Sequence, residues 1–393
     1  SLTDVDAPLQ QVSSSLWLDA HARMTTGTFA KVSLAGDVMT PSSAGKLEGR
    51  ARVREAYAGG HVGGFEARVG QQILAWGNAD GIHAIDLLTA SDYSFFSVSG
   101  DAKQIGAPSV LLSLAPLGES SALRFTAVWQ PIAPSSRVLV PKSAVPPNAR
   151  LVDEDRLPLT LASSEAAAKI AYSPGGWDVA LVGFHGWNHL AEPYPGTIRD
   201  GVVEVGRRHH RYDALGVQAS VALDAWVLRL EGAYVVTENP SGRDRLVQPS
   251  HVDAVIGIER PLGDRMRISA QGVSRWHPFY VPLDAPFEGP PQLAFASRAV
   301  AGVNAKLQNY THPLRPGASL ALSYASEDES FEVSLAALGY FIGFDWVVQP
   351  MIGYRFLEAV KVDVGVQLFG GEKNSLGFLS SQSGAFAQST YTF

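Results

Sequence analysis

The sequence predicts a transmembrane antiparallel β-barrel of the bacterial outer membrane, an all-β fold that forms one domain over residues 1–393. Apolar and polar residues alternate with a period of two in segments of about ten residues, as in strands with one lipid face and one lumen face. The longest apolar stretch, Leu335 to Phe344, is too short for a membrane helix, which needs roughly 18 residues. Apolar residues make up 46% and charged residues 18% of the chain, as such alternation produces.

The alternation is clearest in the C-terminal third. Residues 344–356 place apolar and aromatic side chains on one face, namely Phe344, Trp346, Val348, Ile352, Tyr354 and Phe356. The other face carries Asp345, Gln349, Gly353 and Arg355. After a turn at residues 357–359, residues 360–368 alternate in the same way, so the two segments predict a β-hairpin. Residues 215–223, 226–234, 252–258 and 266–272 repeat the pattern.

A soluble β-sandwich is the alternative for such strands. A sandwich of this length would divide into domains of about 100 residues, whereas the alternation here continues from about Leu16 to the last residue. Tyr391 and Phe393 share one face of the final segment, and a terminal aromatic residue resembles the signal that outer-membrane assembly recognises. We therefore predict a barrel of about 18 strands, with 16 as the alternative count.

Three long connections interrupt the strands, at residues 78–106, 132–162 and 188–208. The first is a candidate constriction or plug, and Asp80, Asp86 and Asp92 are its candidate residues, expected to cap turns and to hold the loop against lumen arginines. With His83 they could also approach a hard cation, but their spacing matches no calcium loop. Counted from a periplasmic N-terminus, all three connections fall at the periplasmic rim, where turns should be short. Either one strand is miscounted or long segments fold into the barrel.

Strand parity directs a set of polar side chains into the lumen, because a charged residue in the middle of the lipid face costs several kcal/mol. The candidate pore-lining residues are Arg50, Arg52, Arg54, Arg68, Arg124, Arg229, Glu231, Arg267, Gln271, Arg355, Lys361 and Asp363, with Gln367 on the same face. They form either a selectivity lining or a lattice of ion pairs such as Arg229 with Glu231. Arg50, Arg52 and Arg54 share one strand face, and this basic ladder indicates anion passage.

Several classes of function find no support. The chain has no cysteine, and it contains no nucleophile elbow, zinc-protease motif or phosphate loop, so we expect no enzyme, metal or cofactor. The net charge of −7 argues against nucleic-acid binding. His185 and His189 lie four residues apart, but neighbouring Gly and Pro disfavour a zinc-binding helix, so surface or rim histidines are expected. Residues 207–211 could attract lipopolysaccharide to the rim.

A family resemblance is carried by short motifs spread over the chain. They are residues 54–57 (REAY), 68–72 (RVGQQ), 76–81 (WGNADG), 86–88 (DLL), 91–93 (SDY), 127–131 (AVWQP), 226–234 (WVLRLEGAY), 370–372 (GGE) and 376–377 (LG). Their succession resembles the alginate-export-like family of outer-membrane porins and a related, largely uncharacterised group. The resemblance implies a barrel of about 18 strands that passes a hydrophilic or envelope-derived molecule.

These observations predict a passive outer-membrane channel, a porin or exporter for a polar or anionic solute or polymer, narrowed by residues 78–106. The alternative is a structural barrel with a plugged lumen that binds partners in an envelope protein assembly. A third possibility is a barrel that handles lipidic molecules for an inner-membrane pump. Outer-membrane lipid and lipopolysaccharide are the expected surroundings. Pairing of nearly every inward arginine with a carboxylate would favour the plugged barrel.

Overall fold

The computed structural model describes residues 13–25, 27–39, 48–93, 103–118, 120–138, 149–154, 157–158, 160–287, 290–356 and 360–391. The first strands are β1 (Ser13–Thr25), β2 (Thr28–Met39), β3 (Glu48–Val62), β4 (Phe65–Gln72), β5 (Ala90–Ser91), β6 (Gln104–Ile105), β7 (Ala107–Leu114), β8 (Leu123–Gln130), β9 (Ala149–Glu154), β10 (Glu165–Tyr172) and β11 (Trp177–Trp187). They are followed by β12 (Glu192–Arg199), β13 (Val202–Arg208), β14 (Arg211–Leu223), β15 (Trp226–Thr237), β16 (His251–Leu262), β17 (Met266–Trp276), β18 (Leu314–Ala325), β19 (Phe331–Tyr340), β20 (Asp345–Phe356), β21 (Val360–Gly371) and β22 (Gly384–Tyr391). An α-helix, α1, covers Pro291–Leu307.

Seventeen strands form one large antiparallel sheet, which confirms the predicted fold class. They pair in chain order, with β5, β6, β9, β12 and β13 left out of the sheet. The sheet curls until β22 lies beside β1, with Cα atoms of the two strands within 8 Å of each other. No hydrogen-bonded ladder joins these two strands in the described part of the chain. Because every pairing is antiparallel and the number is odd, β1 and β22 run in the same direction.

The two rims of the sheet differ in the length of their connections. At the short-turn rim, β3 passes to β4, β14 to β15 and β16 to β17 through two or three residues each. The opposite, long-loop rim carries the connections at residues 73–106, 131–164, 188–210, 238–250, 277–313 and 372–383. All three long connections predicted from the sequence therefore lie at one rim. The described sheet has 17 strands where about 18 were expected, and β1 begins at the long-loop rim. Part of the connection at residues 73–106 folds into the barrel.

The strands have two faces, and aromatic residues mark both edges of the outward one. Exposed aromatic side chains at the short-turn rim are Phe65, Phe125, Tyr172, Trp177, Trp226, Phe331, Tyr354 and Phe356. Those at the long-loop rim are Trp129, Tyr234, Trp276, Phe341 and Phe344. Trp226 and Tyr234 bound β15 eight residues apart, about 27 Å along the strand. At a tilt of about 40° this spacing gives roughly 21 Å across the membrane, close to the apolar band of an outer-membrane barrel.

The predicted hairpin of residues 344–356 and 360–368 is present as β20 paired with β21. Its turn at residues 357–359 and the terminal Phe393 lie outside the described residues. The helix α1 was not predicted. No helix in the described part of the chain is both long and apolar enough to span a bilayer.

The hydrophobic core lies inside the curled sheet. Residues 73–89, here called the inserted segment, supply Leu74, Trp76, Ala79, Ala84, Ile85 and Leu88 to it. The inward rows of β7, β8, β10, β11 and β14–β17 supply the rest, and we call these strands the apolar wall. Its core residues are Leu111, Val128, Ala167, Val182, Phe184, Ala214, Ala233, Val235, Val255 and Val273. The polar wall consists of β18–β22 and β2–β4.

Candidate channel interior and its inserted segment

Glu231 fixes the inserted segment from the apolar wall. Its carboxylate accepts backbone N–H groups of Asn78 at 2.6 Å, Ala79 at 2.7 Å and Ala84 at 2.8 Å. His83 Nδ1 lies 3.4 Å from the same carboxylate, whose side chain is fully buried. Hydrogen bonds to an ionised acceptor contribute about 1.5–3 kcal/mol each. Glu231 was predicted to face inward, and the structure gives it this anchoring position.

Two glycines allow the segment to approach the wall so closely. Gly77 has φ +130°, and a Cβ there would lie 2.8 Å from Glu231 Oε1, so a side chain would be strained and would displace the carboxylate. Gly216 faces inward from β14, and a Cβ there would lie 2.7 Å from Ile85 Cγ2. Gly77 thus makes room for Glu231, and Gly216 makes room for Ile85.

Apolar burial adds to this anchor. Ile85 and Leu88 are 0% and 2% exposed, and burying a side chain of this size stabilises by about 1.5–3 kcal/mol. Gln271 Oε1 accepts the Ile82 N–H at 3.4 Å, and the Tyr212 hydroxyl donates to the Leu87 carbonyl at 3.4 Å. The segment is therefore held by polar and apolar contacts along its length.

The three candidate aspartates of the constriction differ in environment. Asp80 is exposed. Asp86 lies within the segment, where it accepts the Thr89 hydroxyl at 2.7 Å and the Trp76 N–H at 3.3 Å. Asp92 is buried near the long-loop rim, 3.6 Å from Arg50 and 3.4 Å from Arg137. Asp86 thus stabilises a turn, and Asp92 joins the loop to an arginine of β3.

The polar wall carries a cluster of charged residues that water reaches. Lys361 Nζ lies 2.6 Å from Glu332 and 3.3 Å from Asp363, and Arg355 lies 3.8 Å from Glu332. The side chains of Glu332 and Arg355 are 30% and 39% exposed. At the same wall, Ser319, Ser334, Gln349 and Gln367 occupy inward positions where the apolar wall has alanine or valine.

Other candidates pair with partners that the sequence did not indicate. The expected pair of Arg229 with Glu231 is wrong, because Glu231 is engaged by the inserted segment. Arg229 instead lies 2.5 Å from Glu259, which Arg267 also approaches at 3.3 Å. Arg68 contacts Glu66 at 2.6 Å, and Arg124 donates to the Ser113 hydroxyl at 3.3 Å.

The basic ladder of Arg50, Arg52 and Arg54 is interrupted. The register between β2 and β3 shifts next to Ser33, which pairs with Glu55 while Leu34 pairs with Val53. Arg54 falls in this irregularity, so three arginines do not alternate evenly along one face. Arg54 is 8% exposed and sits beside buried Glu55, and Arg50 approaches Asp92.

A buried ion pair near the long-loop rim was missed. Arg315 of β18 lies 2.8 Å from Asp345 of β20, and both side chains are fully buried. Arg315 also donates to Asn309 Oδ1 and the Gly343 carbonyl, and Asp345 accepts the Leu376 N–H at 2.7 Å. Strand alternation places Asp345 on the polar face. It does not predict that Arg315 is the partner, because Arg315 lies 30 residues away in another strand.

The histidines of the long loops are mostly buried, contrary to the expectation of surface histidines. His189 Nε2 lies 3.1 Å from buried Glu165, and His210 Nδ1 lies 2.7 Å from Glu238. His209 contacts the Asn188 carbonyl at 2.7 Å. Only His185 is exposed among these residues. No group of three or more potential metal ligands occurs among the residues that the structure describes.

Above the lumen, a cap joins three of the long connections. It contains α1 and the small sheet of β9, β12 and β13. Glu192, 1% exposed at the start of β12, accepts N–H groups from Asn188 at 3.1 Å, the Gln248 backbone at 3.2 Å and Asn304 at 3.2 Å. Burial raises the pKa of Glu192 to about 7, against the lowering effect of these donors.

No family model matches the chain, and no curated protein matches it. Among solved structures, OccK2 (OpdF) of Pseudomonas aeruginosa aligns with a TM-score of 0.50 and 13% identity over 91% of this chain and 85% of that one. OccK5 (OpdH) of the same organism gives 0.48 and 11% over 92% and 91%, and OmpT of Vibrio cholerae gives 0.39 and 10% over 95% and 90%. The comparison with OccK2 shows the fold alone. That fold is a porin-like β-barrel, and the outward apolar belt with its two aromatic girdles has the dimensions of a membrane-spanning barrel.

Proposed function

We propose that the chain is a passive outer-membrane channel for small polar or charged solutes, which pass along the polar wall. One observation carries the proposal: the inserted segment packs on the apolar wall, while the Glu332, Arg355 and Lys361 cluster at the short-turn end of the polar wall keeps its side chains in reach of water. A channel needs a wetted path with polar groups along it. In this proposal the inserted segment narrows the path and leaves it open.

The proposed solute is small. A carrier of an acidic polymer such as alginate would benefit from a dense basic track, whereas the chain has 31 Lys and Arg against 38 Asp and Glu. Ion pairs on the inner wall engage Arg50, Arg68, Arg229, Arg267, Arg355 and Lys361. Charge that is locally compensated favours small solutes over a polyanion. Lipid and lipopolysaccharide are the proposed surroundings, and the role is non-enzymatic.

The alternative of a plugged, partner-binding barrel has specific support. Ion pairs with carboxylates engage most inward arginines of the described strands, and the cap of α1 and β12 lies at the long-loop rim. In that interpretation the inserted segment and the pairs serve rigidity, and the exposed loops serve envelope partners.

Conductance in planar bilayers separates the two. We expect stable open channels from the purified full chain, and larger ones after deletion of residues 78–92, because the segment occupies lumen volume. Silence of both proteins would contradict the channel and favour the partner-binding barrel. Replacing Arg50 and Arg52 by Ser should then shift ion selectivity toward cations, and Arg54→Ser should have less effect because Arg54 is buried.

A further inference from the structure

One cation lies on the face of the sheet that should contact lipid. Arg260 of β16 alternates with inward Glu259 and follows Ile256 and Ile258 on the outward row. Its guanidinium lies over the Trp226 ring, 4.7 Å from the centroid. Arg260 Nε is buried and has no hydrogen-bond partner among the described residues. A cation at the membrane edge is tolerated, and the other N–H groups of the guanidinium are donors that can meet an anion.

Directly beside Arg260, the outward wall is hollow. The residues that line a groove of about 760 Å³ include Leu228, Leu230, Ile256, Ile258, Ala270 and Ala318, and the groove begins one outward position away from Arg260. Register places Leu228 opposite Ile258, one outward position deeper in the membrane than Trp226 and Arg260. Ala270 and Ala318 leave space beside the larger isoleucines, which makes a groove on a surface that is otherwise convex.

The groove extends through most of one leaflet. From Trp226 to Leu230 the strand advances four residues, about 14 Å along the strand, which at a tilt of about 40° gives about 11 Å across the 25 Å apolar band. Arg260 and Trp226 lie at the short-turn rim, which in bacterial barrels faces the periplasm. The groove therefore runs from the headgroup level of the periplasmic leaflet to the middle of the membrane.

We propose that this groove binds a glycerophospholipid of the periplasmic leaflet, with its phosphate on the Arg260 guanidinium and an acyl chain along Leu228, Ile258 and Ala270. The guanidinium offers a planar set of donors that matches phosphate oxygens, and Trp226 holds it in place from below. The outward residues of the lining are apolar and are complementary to an acyl chain. The site is independent of conduction through the lumen.

Native mass spectrometry of the full chain in mild detergent, titrated with phosphatidylglycerol, tests the site. Arg260→Gln should weaken lipid binding about tenfold, the equivalent of one charge-assisted hydrogen bond. Arg265→Gln is the matched control, because Arg265 lies at the same rim but is paired with Glu327 at 2.8 Å. It should bind lipid as the unmodified protein does. Unchanged binding by Arg260→Gln, or equal loss in both variants, would overturn the proposal.

A second variant tests the groove without altering charge. Ala318→Phe fills the hollow with an apolar side chain that the lipid face tolerates, and we expect it to reduce phosphatidylglycerol binding. Heat-dependent gel mobility checks that each variant is folded. If Ala318→Phe leaves lipid binding intact and instead abolishes an oligomer, the groove is an interface between copies of the chain and the lipid site is wrong.

Discussion

Strands alternate in the same way on the two walls of the lumen, but the residues at their inward positions differ. On the apolar wall, inward positions near the middle hold Val182, Ala233 and Val255, whereas the polar wall has Ser334 and Gln349 at such positions. The inserted segment packs on the apolar wall. Apolar residues in a row that should face water therefore indicate that another part of the chain covers them.

The largest effect should follow from releasing the segment. Glu231→Gln places an amide N–H₂ opposite backbone donors, which loses charge-assisted bonds and leaves N–H groups unsatisfied. We expect the inserted segment to be destabilised by at least about 3 kcal/mol, roughly a hundredfold in its open population. Single-channel conductance in planar bilayers should rise and become noisier.

Glu259→Gln is the control, since Glu259 is also an inward carboxylate at the apolar wall but binds Arg229 and Arg267 instead of the segment. Its conductance should change little. If the two variants change the conductance equally, Glu231 does not hold the inserted segment on the apolar wall.

The cap over both walls should depend on pH. The pKa of Glu192 is raised from 4.5 to about 7 by burial, with Asp244 adding to the rise. The protonated form of Glu192 is therefore favoured in the folded cap. Its contribution to the free energy of unfolding of the cap is complete below about pH 4.5 and is lost as pH rises through about 7, and the total loss is about 3 kcal/mol. Hydrogen exchange in residues 188–208 and 291–307 should be faster at pH 8 than at pH 5.5.

Glu192→Gln cannot ionise and should make this exchange difference disappear, after correction for the intrinsic pH dependence of exchange. A difference that persists in the variant would assign the pH dependence to another group.

A smaller effect should come from the fit between wall and segment. Gly216→Ala places a Cβ 2.7 Å from Ile85 Cγ2, whereas Gly257→Ala, also inward on the apolar wall, meets nothing closer than 3.5 Å. Overpacking of this kind costs about 1–3 kcal/mol. Limited proteolysis within residues 73–89 should increase in Gly216→Ala and stay unchanged in Gly257→Ala. Equal susceptibility would show that the approach of Ile85 is not tight.

Strand alternation was sufficient to predict the antiparallel sheet, the hairpin of β20 and β21 and the long connections, because period two is a local property. It did not give the partners of Arg229 or Arg315, since those depend on register between strands. The helix α1 had a local signal that was overlooked: Pro291 at its first turn and buried Ala296, Val300, Ala301 and Ala305 at helical spacing. The interruption at Arg54 depends on a register shift that alternation alone does not reveal.

The polar wall itself is tested by two opposite changes within one cluster. Lys361→Gln leaves Glu332 and Asp363 with one cation fewer and should shift selectivity toward cations, whereas Glu332→Gln should shift it toward anions. A unit charge at about 4 Å in water contributes about 1 kcal/mol, so permeability ratios should change by about fivefold at most. Reversal potentials in a salt gradient measure both shifts. Opposite signs mean that ions pass along this wall, and two null results would place the path elsewhere even if the Glu231 variant opens the lumen.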